Sequence, residues 1–351
     1  MMDVLRFWLK RGVDGFRSDA AYHLAKDKQF RDDLPNLDYR PGQDEPYEAL
    51  LHTYSKGQAE LAQITNAFCN VLSEHSHNTY LVSEAYLGLP QMLNFYNSCK
   101  NSLHAPLNFN LMTLPWTAES FKKFIDEFEM KLRPNDWPNY VLGNHDRSRI
   151  ATRLGQERAR LMAMLMLTLR GMPFIYYGDE LGMEDVIIPA GKELDPWGKN
   201  MPGFKVGRDP ERNPMQWNTR PNAGFTSGEP WLPVSTDYKE KNVETEYNDE
   251  RSLFSLYKKL IHYHTSSPAL LTGAYRALES GNENIFEFNR ECASEKLLIA
   301  LNFSDQEQSI IIPAGQWTFL CNTYMDKKRG ESMLSENLMF RAYEGYIFKV
   351  D

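Results

Sequence analysis

The first two-thirds of the chain alternates short strand-like runs with longer stretches in which apolar residues recur at helical spacing. The short runs are typical of β-strands, and they lie at 13–19, 80–85, 106–110, 137–144 and 172–177. The longer stretches predict helices at 56–76, 118–132 and 157–169. Strands that are apolar throughout and alternate with helices predict a parallel sheet that is buried on both faces.

After residue 268 the pattern changes to short alternating runs separated by turn residues. A series of such runs predicts an antiparallel β domain, here a β-sandwich. Six runs fit the pattern, at 274–280, 284–290, 296–303, 308–314, 317–322 and 346–350. We therefore predict an α/β domain over residues 1–268 and an all-β domain over residues 269–351.

Three of the strand-like runs lead into a carboxylate. Asp19 and Glu84 end two of them, and Asp146 follows the Asn144-His145 pair at the end of a third. In a β/α barrel the polar residues at the strand ends meet at one rim, where active sites lie. A doubly wound sheet is the alternative, but no glycine-rich phosphate loop follows any of these runs. The pattern favours the barrel.

Composition narrows the range of partners and compartments. The net charge of -8 argues against nucleic acid and anionic membranes as partners, because both require clustered positive charge. No stretch approaches the roughly 18 apolar residues of a membrane helix. Four cysteines without metal-ligand spacing predict unpaired thiols and a cytoplasmic location. They are Cys69, Cys99, Cys292 and Cys321.

The strand-end residues suit the cleavage of a glycosidic bond. This reaction uses two carboxyl groups, about 5 Å apart when the configuration is retained. Arg17 lies two residues before Asp19, hence on the same strand face, where its charge keeps Asp19 ionised. His145 and Asp146 supply a donor and an acceptor for sugar hydroxyls. This chemistry implies no cofactor and no metal.

Five segments resemble regions of the α-amylase superfamily, glycoside hydrolase family 13. GFRSDAAYHL, VSEAY and LGNHDRSR are similar to three of its signature regions, and they lie at 15–24, 82–86 and 142–149. MPFIYYGDELGM at 172–183 resembles the region around its eighth strand. RDPERNPMQWNTRPNAGFT at 208–226 is similar to a loop of the α-glucosidase and oligo-1,6-glucosidase branch.

The resemblance implies roles for individual residues. It makes Asp19 the nucleophile, Glu84 the acid/base, and Asp146 the third carboxylate, which holds sugar hydroxyls. It makes Arg17 and His145 contacts to the transition state and to the bound glucose.

Further positions follow from the same resemblance. Arg149 matches the arginine that contacts the terminal glucose in exo-acting members. Ala20 resembles the small residue of branches that prefer α-1,4 links, where a valine accompanies α-1,6 cleavage. Arg212 and Glu180 fall in matching loops without an assigned role.

Some regions of the family pattern have no counterpart in this sequence. They include an Asp followed by Asn-His at the third strand end, the first two strands, an inserted domain and an early calcium loop. The resemblance therefore predicts strands 4–8 of a (β/α)8 TIM barrel, truncated at the N-terminus, followed by the C-terminal β domain. It also predicts low stability and little activity without the missing N-terminal half of the barrel, a possible partner.

The resulting functional hypothesis is an exo-acting α-glucosidase that hydrolyses α-1,4 bonds of maltose-like oligosaccharides with retention. A rival within the fold is a transglycosylase or isomerase, of the trehalose synthase or sucrose isomerase type. A non-enzymatic binding subunit, like the heavy chains of amino-acid transporters, is a rival from another class. The three retained carboxylates and the lack of a membrane segment argue against it. An inert remnant of an enzyme is the remaining alternative.

Overall fold

The chain forms two compact units. Met1–Thr113 and Phe128–Tyr140 make up the first, and Leu114–Glu127 and Val141–Asp351 the second. The boundary between residues 268 and 269 lies inside the second unit and stays a prediction. The computed structural model describes residues 1–44, 46–75, 78–99, 103–201, 206–312, 317–328, 330, 332–333 and 337–350.

The secondary structure follows the alternation of the sequence. The helices of the described residues are α1 (Met2–Lys10), α2 (Leu61–His75), α3 (Leu89–Ser98), α4 (Ala118–Lys131), α5 (Ile150–Leu154), α6 (Gln156–Thr168), α7 (Pro196–Asn200), α8 (Val243–Tyr247), α9 (Leu253–Ser266) and α10 (Pro268–Thr272). The strands are β1 (Gly15–Ser18), β2 (Tyr80–Ala85), β3 (Leu103–Asn108), β4 (Asn139–Val141), β5 (Met172–Phe174), β6 (Ala274–Ala277), β7 (Ile285–Cys292), β8 (Glu295–Asn302), β9 (Gln308–Ile311), β10 (Trp317–Asn322), β11 (Ser332–Met333), β12 (Asn337–Phe340) and β13 (Gly345–Val350).

A three-stranded parallel sheet in the order β1-β2-β3 forms the centre of the first unit. Gly15 of β1 pairs with Tyr80 of β2. A Cβ atom on Gly15 would lie 2.1 Å from the carbonyl oxygen of Tyr80, so only glycine allows this close approach. The prediction of a parallel sheet is confirmed for these strands, although β3 begins before the predicted residue 106.

Helix α3 was not predicted from the sequence. Its buried side chains Met92, Phe95 and Tyr96 recur at helical spacing on one face. Pro90 lies in its first turn, where the missing N–H costs nothing. The helical spacing of apolar residues was therefore present in the sequence, in a segment that is also compatible with a loop.

The structure corrects the prediction of four unpaired cysteines. Cys69 of α2 and Cys99, which caps α3, form a disulfide with their Cα atoms 5.8 Å apart. The bond lies in an apolar cluster that includes Leu72 and Leu81. The two cysteines are 30 residues apart in sequence, and the fold of α3 brings them together. The cytoplasmic prediction rested on free thiols and loses that support.

An antiparallel sheet dominates the C-terminal part of the second unit. Its strand order is β11-β10-β13-β8-β7-β6, and β12 and β9 form a separate two-stranded ribbon. A buried core joins the sheet to the ribbon, with Leu298 and Phe348 from the sheet and Ile310 and Phe340 from the ribbon. The predicted antiparallel domain is confirmed. Strands β11 and β12 were not predicted.

Helix α6 is buried along its C-terminal part and connects the C-terminal sheet with the rest of the second unit. Its residues 161–168 are all buried. Arg160 Nε donates to the carbonyl oxygen of Thr323 at 2.8 Å, and Arg290 Nη1 donates to that of Thr168 at 2.8 Å. Within the described part of the chain, no helix is both long enough and apolar enough to span a membrane.

Candidate active site

Arg17 connects the two carboxylates at the ends of β1 and β2. Its Nη1 atom lies 2.5 Å from Oδ1 of Asp19, and its Nη2 atom donates to Oε2 of Glu84 at 3.0 Å. The parallel register pairs Ser18 with Ser83, so both strands end at the same edge of the sheet. The three residues that the sequence predicted at these strand ends therefore lie together.

The two carboxylates differ in their exposure to solvent. The side chain of Asp19 is 76% exposed, whereas that of Glu84 is 6% exposed. Oε2 of Glu84 also accepts a hydrogen bond of 2.9 Å from the backbone N–H of Ala20. One carboxylate is thus open to an approaching molecule, and the other is held in place by two donors.

Ala20 holds its N–H in place through an unusual backbone conformation. Its φ and ψ angles are 42° and 39°, in the left-handed region. For a residue with a Cβ atom this conformation costs about 1–2 kcal/mol. Strain of this kind is typical of functional sites, where the surrounding structure maintains it. This conformation was not predictable from the sequence, because alanine is not a residue that favours this region.

A second cluster surrounds Asp146. Its Oδ1 atom accepts hydrogen bonds from Nη1 of Arg208 and Nη2 of Arg212, each at 2.9 Å. His145 Nε2 lies 3.3 Å from its Oδ2 atom, and Oδ1 of Asn144 accepts the backbone N–H of Asp146 at 3.0 Å. The predicted neighbours His145 and Asp146 are therefore in contact, and two arginines hold the carboxylate.

Arg208 was not predicted as a site residue, and Arg212 had no assigned role. Both lie in the segment 208–226 that resembles a family loop. Arg212 also donates from Nε to the carbonyl oxygen of His145 at 2.7 Å. The motif in the sequence indicated that this segment matters, but it did not indicate which arginine would bind which acceptor.

Arg149 is fully buried and bound by protein groups. Its Nε donates to Oδ1 of Asn213 at 3.0 Å, and its Nη1 donates to the carbonyl oxygen of Tyr177 at 2.7 Å. The guanidinium also lies over the ring of Tyr176, 5.0 Å from its centre. The direct contact between Arg149 and a terminal glucose stays a prediction, and the structure gives this side chain a supporting position.

Several carboxyl groups near these arginines titrate unusually. Burial raises the pKa of Asp179 to about 7, although the charge of Arg149 opposes this shift. Burial also raises the pKa of Glu180, whose Oε2 accepts the N–H of Gly178 at 2.7 Å. Burial and the negative charges of nearby aspartates raise the pKa of Glu211 to about 8. Glu211 therefore holds a proton at neutral pH and adds little negative charge around Asp146.

Comparisons with known proteins identify the family of this chain. The family model for the alpha-amylase catalytic domain matches residues 1–273. The chain is 34% identical to "Alpha-glucosidase" of Apis mellifera, over 90% of this chain and 56% of that protein. It is 28% identical to "Oligo-1,6-glucosidase" of Parageobacillus thermoglucosidasius, over 89% of this chain and 60% of that protein. The chain thus spans between half and two-thirds of the length of these relatives.

Two solved structures are similar over the whole chain. The alpha-glucosyl transfer enzyme XgtA has a TM-score of 0.86 at 26% identity, with 66% of that protein covered. The trehalulose synthase MutB of Pseudomonas mesoacidophila has a TM-score of 0.81 at 26% identity, with 67% covered. Both are similar to this chain in fold as well as in sequence.

Proposed function

This chain belongs to the alpha-amylase family, and we propose that it cleaves α-glucosidic bonds with retention of configuration. The observation that carries the proposal is the Arg17 bridge between Asp19 and Glu84. A retaining glycosidase needs one carboxylate as nucleophile and a nearby carboxyl group as acid and base. Two carboxylates that bind neighbouring nitrogens of one guanidinium suit this requirement.

The difference in solvent exposure supports different roles for the two carboxylates, one as nucleophile and the other as acid and base. Asp19, the exposed one, attacks the anomeric carbon and forms a covalent glycosyl ester. Glu84 gives its proton to the departing glycosidic oxygen. In the second step Glu84 takes a proton from water, the water oxygen bonds to the anomeric carbon, and the ester bond to Asp19 breaks. Two inversions leave the configuration unchanged.

The second cluster supports a role in sugar binding. We assign Asp146 and His145 to the binding of sugar hydroxyls, because a carboxylate and an imidazole accept and donate hydrogen bonds there. Arg212 holds both the carboxylate of Asp146 and the backbone of His145. Arg149 acts as a positioning residue for Tyr177 and Asn213.

The family also supports a finer assignment of the fold. We assign β1, β2 and β3 to consecutive strands of a (β/α)8 barrel, since they are parallel and adjacent in chain order. The carboxyl ends of barrel strands carry the active site in enzymes of this fold. Asp19 and Glu84 lie at those ends.

The proposed substrate is a maltose-like α-glucoside with an α-1,4 bond. The relative "Maltase 1" of Drosophila virilis, 32% identical to this chain, supports this choice. Ala20 after the nucleophile agrees with it through the family resemblance. The similarity to XgtA and MutB supports a second candidate, the transfer of a glucosyl group to a sugar instead of to water.

The test is an assay of the protein as its gene encodes it on p-nitrophenyl α-D-glucopyranoside, maltose and sucrose. Proton NMR follows the products, and α-glucose should appear before its anomer. A disaccharide isomer as the main product would favour the transfer reaction. The Asp19→Asn variant should be inactive, whereas Asp14→Asn, an exposed position before β1, should match the wild type. First release of β-glucose, or no turnover of any of the three, would contradict the proposal.

A further inference from the structure

Asp195 is a buried carboxylate that no step of the proposed reaction uses. Its side chain is 0% exposed, and both of its oxygens bind the guanidinium of Arg208. Oδ2 accepts from Nε at 3.0 Å, and Oδ1 accepts from Nη2 at 2.8 Å. Such a two-point contact fixes the plane of the guanidinium as well as its position.

The remaining terminal nitrogen of Arg208 points to the candidate site. Nη1 donates to Oδ1 of Asp146 at 2.9 Å. Because the guanidinium is a rigid plane, the contact with Asp195 also sets the direction of Nη1. The side chain of Asp146 is 20% exposed, so the buried end of this chain of contacts is Asp195 and the accessible end is Asp146.

The backbone around Asp195 is itself anchored. The side chain of Asp209 accepts the N–H groups of Leu194, at 2.6 Å, and of Asp195, at 2.9 Å. In return, Oδ2 of Asp195 accepts the backbone N–H of Arg208 at 2.9 Å. The segments 194–195 and 208–209 are thus tied together in both directions. We call Asp195, Arg208 and Asp209 the clasp.

Two glycines bring the same segments into close contact. A Cβ atom on Gly198 of α7 would lie 3.1 Å from Cα of Gly207, which directly precedes Arg208. Asp195 caps the N-terminus of α7, where it accepts the N–H of Trp197 at 3.5 Å. The segments that carry the clasp are therefore closely packed. A residue that positions another side chain requires such rigid support.

Charge gives the clasp a second effect. Two guanidinium groups bind one oxygen of Asp146, and Asp195 supplies the negative charge that balances Arg208. Arg208 lowers the pKa of Asp195 to about 2, so this balance holds throughout the neutral range. Without the Asp195 charge, Arg208 would be free to leave the orientation in which its Nη1 atom donates to Asp146.

We propose that Asp195 is a positioning residue that holds Arg208 in the orientation in which it binds and orients Asp146. The inference rests on the proposed function, because Asp146 is there assigned to the sugar hydroxyls. It adds a residue that touches neither the substrate nor Asp146 and acts through Arg208 alone.

The first experiment is steady-state kinetics of Asp195→Asn on an α-glucoside. A misplaced binding group lowers kcat/KM by about 10- to 100-fold, and a rise in KM should contribute to this loss. The matched control is Asp326→Asn, which breaks a similar two-point contact with Arg341, at 2.7 Å and 3.0 Å, in the C-terminal sheet region. The control should lose thermal stability but keep the KM and kcat of the wild type.

A double-mutant cycle separates positioning from a general structural role. If Asp195 acts through Arg208, then Asp195→Asn should cost less than about threefold in kcat/KM when Arg208→Ala is already present. Multiplicative losses in the double variant would overturn the inference. Arg208→Lys keeps the charge and lacks the planar fork, so it provides the same KM readout if Asp195→Asn folds poorly.

The outcomes distinguish this inference from the function on which it rests. An active wild type whose Asp195→Asn and Arg208→Lys variants keep their KM and kcat would overturn the clasp and leave the proposed function standing. A wild type that turns over no α-glucoside would overturn both.

Discussion

The backbone N–H of Ala20 donates a hydrogen bond of 2.9 Å to Oε2 of Glu84, from the turn that follows β1 to the end of β2. The same oxygen accepts from Arg17 at 3.0 Å. One carboxylate oxygen therefore depends on a strained backbone and on the guanidinium that also binds Asp19. This arrangement makes Glu84 a fixed group, and its chemistry can be tested without moving it.

Glu84→Gln keeps an oxygen acceptor for both donors and removes the acidic proton. Loss of a general acid typically costs about 10²- to 10⁴-fold in rate. We expect a loss of that size in kcat on maltose, whose leaving group needs a proton. We expect a much smaller loss in the first step on p-nitrophenyl glucoside, whose leaving group does not.

Stopped-flow release of p-nitrophenol and glucose release from maltose measure the two effects. Glu119→Gln, at an exposed position in the first turn of α4, is the control and should match the wild type on both substrates. Equal losses of Glu84→Gln on the two substrates would argue against Glu84 as the acid.

The pKa of Glu211 makes stability depend on pH. Its pKa in the folded protein is raised to about 8 from an ordinary value of 4.5. Between these values the folded state binds the proton and the unfolded state does not, so the free energy of unfolding falls as the pH rises. Between pH 5 and pH 8, the Tm of Glu211→Gln should therefore fall by less than the Tm of the wild type.

Differential scanning fluorimetry at these two pH values measures the difference. In the control Glu119→Gln, the Tm should fall between pH 5 and pH 8 by as much as in the wild type. If Glu211→Gln behaves in the same way, Glu211 does not titrate in this window.

The disulfide between Cys69 and Cys99 should stabilise the first unit. Closing a loop with a separation of 30 residues stabilises a protein by about 3–4 kcal/mol in the chain-entropy account. Replacing both cysteines by alanine should lower Tm, and a reducing agent should lower the Tm of the wild type but not that of the variant. Cys292→Ser, which removes a free cysteine, should leave the response to the reducing agent intact. Four titratable thiols in the unreduced, denatured protein would exclude the bond.

Gly15 tests the pairing of β1 with β2. Gly15→Ala places a methyl group 2.1 Å from the carbonyl oxygen of Tyr80, so the strands must separate. Overpacking of this kind costs about 1–3 kcal/mol. We expect a lower Tm together with a lower kcat, because Arg17 and Glu84 lie on the separated strands. A variant with the kcat and Tm of the wild type would show that the close approach is not required.

Local pattern was sufficient to predict the strands that carry the candidate site. Asp19 and Glu84 lie at the ends of strand-like runs, and the ends of neighbouring parallel strands must meet. Arg17 followed from the alternation of side chains along a strand. These predictions needed only periodicity and neighbouring positions.

Features that depend on contacts between distant residues could not be predicted from the sequence. The left-handed conformation of Ala20 is maintained by the surrounding structure, and the conformational preference of alanine does not predict it. The clasp joins Asp195 to Arg208, which are separated by 13 positions in the sequence. The pairing of Cys69 with Cys99 required the position of α3. Each of these results from tertiary structure, which overrides local preference.

The assignment of Asp19 as nucleophile is the central claim, and trapping the covalent intermediate tests it most directly. A fluorinated α-glucosyl fluoride forms the ester quickly and hydrolyses it slowly, so the ester accumulates. Mass spectrometry of the digested protein should then find one glucosyl adduct, on the peptide that contains Asp19, and the Asp19→Asn variant should carry none. An adduct on another carboxylate, or none on an active wild type, would contradict the account.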